Sequence, residues 1–361
     1  MKAWRLLAVG DHRLVEVPLP SVGDRDVLVK VKVVQASVTD SEVLKGLSAT
    51  PSSRLIPKWL AEGRPVQRGH EYCGEVVEAG KGVISLRVGD RVSSPSRVYC
   101  GSCKRCVAGR FSECLSPHHI GGDIPGAFAE YMSIAEWGVV KMPTVLTDNE
   151  IATLQSLCSC VSSVHSAGIA MGDSVVILGQ GAMGLGILQA ARLAGAGQLI
   201  AVARRPETLA LSRKLGAYET INTREVDVVS EVLRLTDGIG ADVVFDAAGG
   251  NTAYGLSGFQ TVAQAFRMVR SGGKVVQTAT LDAAMELDVV SMRARAISYV
   301  FPEPASISSM ELAALWMATG RIEVKSQITH VLHGLDRLPE AIDITENKAK
   351  YGAISAAQVV V

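Results

Sequence analysis

The sequence predicts an α/β protein in which a β-rich, antiparallel domain precedes a doubly wound parallel sheet. Three observations carry this reading. Apolar runs broken by Gly and Asp fill the first third of the chain. From about Asn149, helical periods alternate with short apolar strands, the pattern of a parallel sheet covered by helices. A Gly-x-Gly-x-x-Gly run, Gly179 to Gly184, stands directly after one of those strands.

The elements follow in order. Val27 to Val34 and Gly74 to Gly80 read as strands, and Gly89-Asp90-Arg91-Val92 as a turn entering a third. Ser174 to Leu178 is a buried strand, Met183 to Leu193 a helix, Leu199 to Val202 a strand and Pro206 to Leu215 a helix that opens on proline. Asp242 to Asp246 and Gly273 to Thr278 continue the series. Beyond about Val300 come a helix around Ser309 to Thr319 and a final strand, Gln358 to Val361, which returns to the first domain. The chain of 361 residues exceeds what one core usually organises. The expected division is 1–155, 156–299 and a return segment 300–361.

Composition narrows the function. Lys plus Arg and Asp plus Glu balance at 36 each, with no basic stripe, so a nucleic-acid partner is excluded. The 48% hydrophobic content never approaches the roughly 18 consecutive apolar residues of a membrane span. Met1-Lys2-Ala3-Trp4 opens no apolar leader, and a soluble cytoplasmic protein is expected.

Cys100, Cys103, Cys106 and Cys114 are spaced Cys-x2-Cys-x2-Cys-x7-Cys. One loop can thus close four thiolates around a tetrahedral zinc. Two-residue gaps suit a shared metal better than direct disulfides. Such a closed site leaves no open coordination position and is structural. In the fingerprint, Gly179, Gly181 and Gly184 allow a tight turn and close backbone approach to a pyrophosphate, which rests on the helix N-terminus at Ala182 and Met183. An acidic residue some twenty positions on would grip the adenosine ribose. Ala203 stands there instead, followed by Arg204 and Arg205. Guanidinium groups bind phosphate in planar, charge-assisted contacts, so NADP(H) is expected over NAD(H). Thr278, closing its strand, is placed among the cofactor-side residues.

The segment Arg68-Gly69-His70-Glu71-Tyr72-Cys73-Gly74-Glu75-Val76, the four-cysteine loop and the fingerprint occur in one order along the chain. Together they resemble the zinc-containing medium-chain alcohol dehydrogenase/reductase family over essentially the whole length. The resemblance implies a GroES-like catalytic domain joined to a Rossmann-type domain. It implies a catalytic zinc on His70, with Glu71 adjacent and Cys158 as a further ligand. Thr39 matches the hydroxyl that relays the alcohol proton, and Asp40 the carboxylate that orients the zinc histidine. It also implies a homodimer or homotetramer formed through edge strands, for which Ala296 to Phe301 is the candidate.

One position departs from the pattern: Ser37 stands where relatives carry a cysteine ligand. A neutral hydroxyl is a far weaker zinc donor than a thiolate. Three readings stay open: zinc held by His70, Cys158, Glu71 and Ser37 or water; zinc bound weakly and recruited with substrate; or a structural zinc alone. The first two make the chain an NADP-dependent alcohol dehydrogenase or carbonyl reductase. The third makes it an NADPH-dependent reductase of an activated double bond or iminium. Residues 44–67 form a longer connection than relatives have, carrying Pro51, Pro57, Trp59 and Pro65. It is read as a cap on an apolar substrate pocket with Trp59 as wall, or as a surface loop with Trp59 as anchor.

Overall fold

The computed structural model describes residues 1–47, 53–250, 252, 257–281 and 284–361. Pro51, in the connection singled out above, lies outside the described residues. The chain divides into two compact units, Met1–Cys158 with Pro304–Val361, and Ser159–Glu303.

The second unit holds a six-stranded sheet in the order Glu219–Asn222, Gln198–Ala203, Ser174–Leu178, Ala241–Asp246, Val269–Gln277, Ser298–Val300. Every pairing in it is parallel. Helices cover both faces of such a sheet, so its strands are apolar throughout rather than alternating. Val175, Val176, Ile177 and Leu178 are accordingly all buried. From Ser174–Leu178 the chain winds outward to one side and then returns to the other. A crevice therefore opens at the carboxyl end of that strand, where ligands of doubly wound sheets bind.

The first unit is built on a seven-stranded sheet. Val331–His333, Gln358–Val360, Asp26–Gln35, Tyr72–Ala79, Arg91–Ser93 and Val140–Lys141 follow in that order, and Tyr131–Ala135 also pairs with Asp26–Gln35. All pairings are antiparallel except that of Val331–His333 with Gln358–Val360. Gln358–Val360 pairs with Asp26–Gln35, placing Gln358 opposite Gln35. The core gathers Val29, Val31, Tyr72, Val76, Phe128 and Met132 with Leu338 and Ile344 of the return segment. Two features were not legible in the pattern. A hairpin, Lys2–Ala8 with Asp11–Glu16, opens the unit, and within the long connection Ile56–Ala61 forms a helix with proline in its first turn. Trp59 on that helix packs on a small cluster of Leu6, Val43, Ile56 and Val66. The Arg64 guanidinium lies 4.5 Å from the Trp59 ring centroid. Trp59 is therefore an anchor of the helix.

Candidate functional site

The four cysteines converge. Their sulfur atoms lie within 4.8 Å of one another, and they are the one such group of His, Cys, Asp and Glu among the described residues. Cys103 and Cys106 are 3.5 Å apart, Cys100 and Cys114 3.5 Å, Cys100 and Cys106 3.9 Å. Four thiolates at about 2.3 Å from one zinc stand about 3.8 Å from each other, so the cradle fits the ion. Backbone N–H groups of Ser102 and Cys103 hold the Cys100 thiol down at about 6, favouring the thiolate a metal requires.

A second cluster forms where the helix Val38–Leu44 begins. Ser37 is its N-cap, with the hydroxyl accepting from the Asp40 N–H at 3.0 Å and donating to Asp40 Oδ2 at 2.8 Å. Asp40 is fully buried, and its Oδ1 meets Arg68 Nη2 at 2.9 Å and His70 Nδ1 at 3.4 Å. Burial opposes the Asp40 charge, but His70 and Arg68 outweigh it and hold the carboxyl well below its usual range. For His70 burial favours the neutral ring, yet Asp40 and then Glu71 carry the balance upward. A carboxylate on one ring nitrogen fixes the imidazole and leaves Nε2 as the ligand atom, the arrangement typical of metal-bound histidine.

Glu71 is treated differently. It is buried and receives a hydrogen bond from the Gln35 amide. Gln35 in turn accepts from Gln358 Nε2 at 3.0 Å, and Gln358 accepts from Asn149 Nδ2 at 2.7 Å. Every hydrogen-bond partner in this run is neutral, while His70 and Lys348 act on Glu71 through charge alone. Burial pushes its carboxyl up to about 7, against the pull of His70 and Gln35. Cys158, fully buried in the helix Leu154–Ala167, donates its thiol proton to the Gln155 carbonyl at 3.0 Å. The donor set of imidazole, carboxylate and thiol suits zinc. The Ser37 hydroxyl makes two hydrogen bonds to Asp40, which leaves one lone pair on its oxygen. Half-buried Thr39 lies in the first turn of the same helix. The described residues do not bring His70, Glu71 and Cys158 into one tight group as they do the cysteines.

In the second unit the fingerprint joins the strand Ser174–Leu178 to the helix Ala182–Ala194. Gly179 has φ +91°, and a Cβ there would stand 2.8 Å from the Ala247 carbonyl. A Cβ on Gly184 would lie 1.8 Å from the Gly179 carbonyl. A Cβ on Gly181, by contrast, meets nothing within 4 Å. Gly179 and Gly184 fold the turn, while Gly181 faces the open space a pyrophosphate would enter. Ala182 and Met183 begin the helix, and the Met183 carbonyl accepts from the Cys160 thiol at 3.3 Å. Cys158 and Cys160 thus have different partners, as the two-residue helical step implies. Ala203 ends its strand; Arg204 is exposed, and Arg205 lies 3.3 Å from Glu207. Thr278 donates to the Asp246 carbonyl at 2.5 Å. Arg68, Gln35 and Gln358 escaped the sequence reading. Their one signal is polarity at positions flanked by core residues.

A glycine-turned parallel sheet and a β-rich unit with a four-thiolate cradle define a nicotinamide-dependent oxidoreductase of the zinc-binding dehydrogenase type. The comparisons agree. Residues 23–144 match the alcohol dehydrogenase GroES-like domain, and residues 182–301 the zinc-binding dehydrogenase domain. The chain is 32% identical over 337 residues to L-threonine 3-dehydrogenase of Pyrococcus abyssi, spanning 92% of this chain and 91% of that one. It is 29% identical to D-arabitol-phosphate dehydrogenase of Enterococcus avium, over 87% and 85% of the two chains. A zinc-binding dehydrogenase from Sinorhizobium meliloti 1021, solved bound to NADP, superposes with a TM-score of 0.84 at 31% identity, covering 100% of this chain and 99% of that one. The chain belongs to the zinc-containing medium-chain dehydrogenase/reductase family. No helix among the described residues is long and apolar enough to cross a membrane.

Proposed function

We propose that this chain transfers hydride between NADP(H) and an alcohol or carbonyl substrate, at a zinc centre held by His70, Glu71 and Cys158. The observation that carries the reading is a buried carboxyl held by a neutral amide, Glu71, next to an imidazole whose Nδ1 faces Asp40. Burial makes the Glu71 carboxyl costly to ionise, and a bound metal would relieve that cost. When bound, zinc supplies a Lewis acid for the substrate oxygen and the nicotinamide gives or takes the hydride.

The chain's own residues do the rest. Asp40 orients His70, and Arg68 and Ser37 hold Asp40 in place. Thr39 passes the alcohol proton outward. Gly179, Gly181 and Gly184 with the N–H groups of Ala182 and Met183 receive the pyrophosphate, Thr278 lines the cofactor side, and Arg204 and Arg205 meet the 2′-phosphate beside the small Ala203. L-threonine and D-arabitol phosphate, named in the relatives, both carry secondary alcohols, which supports that substrate class. The working state is a cytoplasmic homodimer or homotetramer joined through the edge strand Ser298–Val300.

The commitment of the Ser37 hydroxyl to Asp40 favours a second reading, in which only the structural zinc remains and an activated double bond or iminium accepts the hydride. Metal analysis separates the two: two zinc ions per chain support the first, one supports the second. A fluorescence titration then compares NADPH with NADH, and equal affinities would remove the NADP(H) assignment.

A further inference from the structure

One buried hydrogen bond joins the two turns that would grip the adenosine half of the cofactor. Gln180 sits inside the fingerprint, between Gly179 and Gly181, and is almost fully buried. Its Nε2 donates to the Ile177 carbonyl at 3.0 Å. A carbonyl can only accept, so the other end of the amide, Oε1, faces Ser212. Ser212 is fully buried on the helix Pro206–Lys214, and its hydroxyl lies 3.0 Å from Gln180 Oε1 and 2.8 Å from the Thr208 carbonyl. The single hydroxyl proton serves one of these acceptors at a time or is shared between them.

From Ser212 the connection runs on toward the arginines. Thr208 Oγ1 donates to the Arg205 carbonyl at 2.9 Å, and the Thr208 and Leu209 N–H groups bond the same oxygen at 3.2 Å. Arg205 is the N-cap of the helix that carries Ser212. A glutamine within the glycine turn is thus tied, through one serine, to the turn that presents Arg204 and Arg205. Neither side chain has room to be polar for solubility, because both are buried. An unpartnered amide or hydroxyl in that place would carry a desolvation penalty.

We infer that Gln180 and Ser212 are positioning residues for cofactor selectivity: their hydrogen bond sets the distance between the pyrophosphate turn and the arginine turn, so that an NADP(H) phosphate reaches both guanidinium groups. The inference rests on the NADP(H) reading above. A dinucleotide lacking the 2′-phosphate has no such group to offer the guanidiniums and depends less on the spacing.

The test is binding of NADPH and NADH, followed by nicotinamide fluorescence, to the full chain and to Ser212→Ala, Gln180→Met and the double variant. Losing one buried neutral hydrogen bond is expected to cut the NADPH-over-NADH preference by about 3- to 10-fold. NADH affinity should hold in all three, and the double variant should be no worse than the poorer single one, because both substitutions remove the same bond. An undiminished preference in both single variants overturns the inference. Parallel loss of NADPH and NADH affinity also overturns it, since that is the mark of a damaged fold or turn. Equal affinities in the unaltered chain remove the NADP(H) reading itself, an outcome visible before any variant is made.

Discussion

The four-cysteine loop and the cluster around His70 lie in the same β-rich unit, yet they are assembled by opposite means. The loop draws all its donors from one stretch, Cys100 to Cys114, and its thiols touch chiefly one another. The His70 cluster takes Ser37 and Asp40 from a helix start, Arg68 to Glu71 from the entry to a strand, and Gln358 from 323 residues beyond Gln35. A self-contained loop keeps its meaning whatever happens elsewhere. In the dispersed cluster each residue is defined by its partners, and Ser37 caps its helix through two hydrogen bonds to Asp40.

The largest effect that would break this contrast belongs to the loop. Cys106→Ser removes one of four thiolates, and the expected result is loss of one zinc equivalent with a fall in Tm on the order of 10 °C. Unchanged metal content by elemental analysis would show that the cradle is not a zinc site. Asp40→Asn comes next, because it strips the counter-charge from a guanidinium that is only 6% exposed. Breaking a buried pair in this way costs about 3–5 kcal/mol, read as a lower midpoint in urea, and His70 loses its fixed orientation. A midpoint within error of the unaltered protein would mean that Arg68 finds another partner. Ser37→Ala is the smallest and sharpest. Loss of an N-cap is worth about 1 kcal/mol, and zinc content should not change, since the hydroxyl serves Asp40. If zinc is lost with that single oxygen, Ser37 is a ligand after all.

Much of the architecture was legible because it is periodic. Apolar strands such as Val175 to Leu178, the helix after the fingerprint and the returning strand Gln358–Val360 all announce themselves through burial pattern and turn residues. The cysteine cradle was legible because its spacing is local. The helix Ile56–Ala61 was not, since six residues with a proline among them carry no resolved period. Nor were the roles of Arg68, Gln35 and Gln358. A polar residue among core residues signals that it must have a partner, but not which one, and the partner here is set by tertiary packing. Glu71 shows the limit well: its sequence motif is plain, while its amide neighbours come from three distant segments, and its raised pKa comes from the burial that tertiary packing imposes.

The pairing of Gln358–Val360 with Asp26–Gln35 also has a temporal side. Chains fold as they leave the ribosome, generally domain by domain. The strand that flanks Gln35, and with it the last amide of the run to Glu71, emerges only after the whole of Ser159–Glu303 has been synthesised. The parallel sheet has all its own strands by then and can fold first. The β-rich unit must wait, its central strand edge open in the interval, and the run of amides leading to Glu71 is completed last.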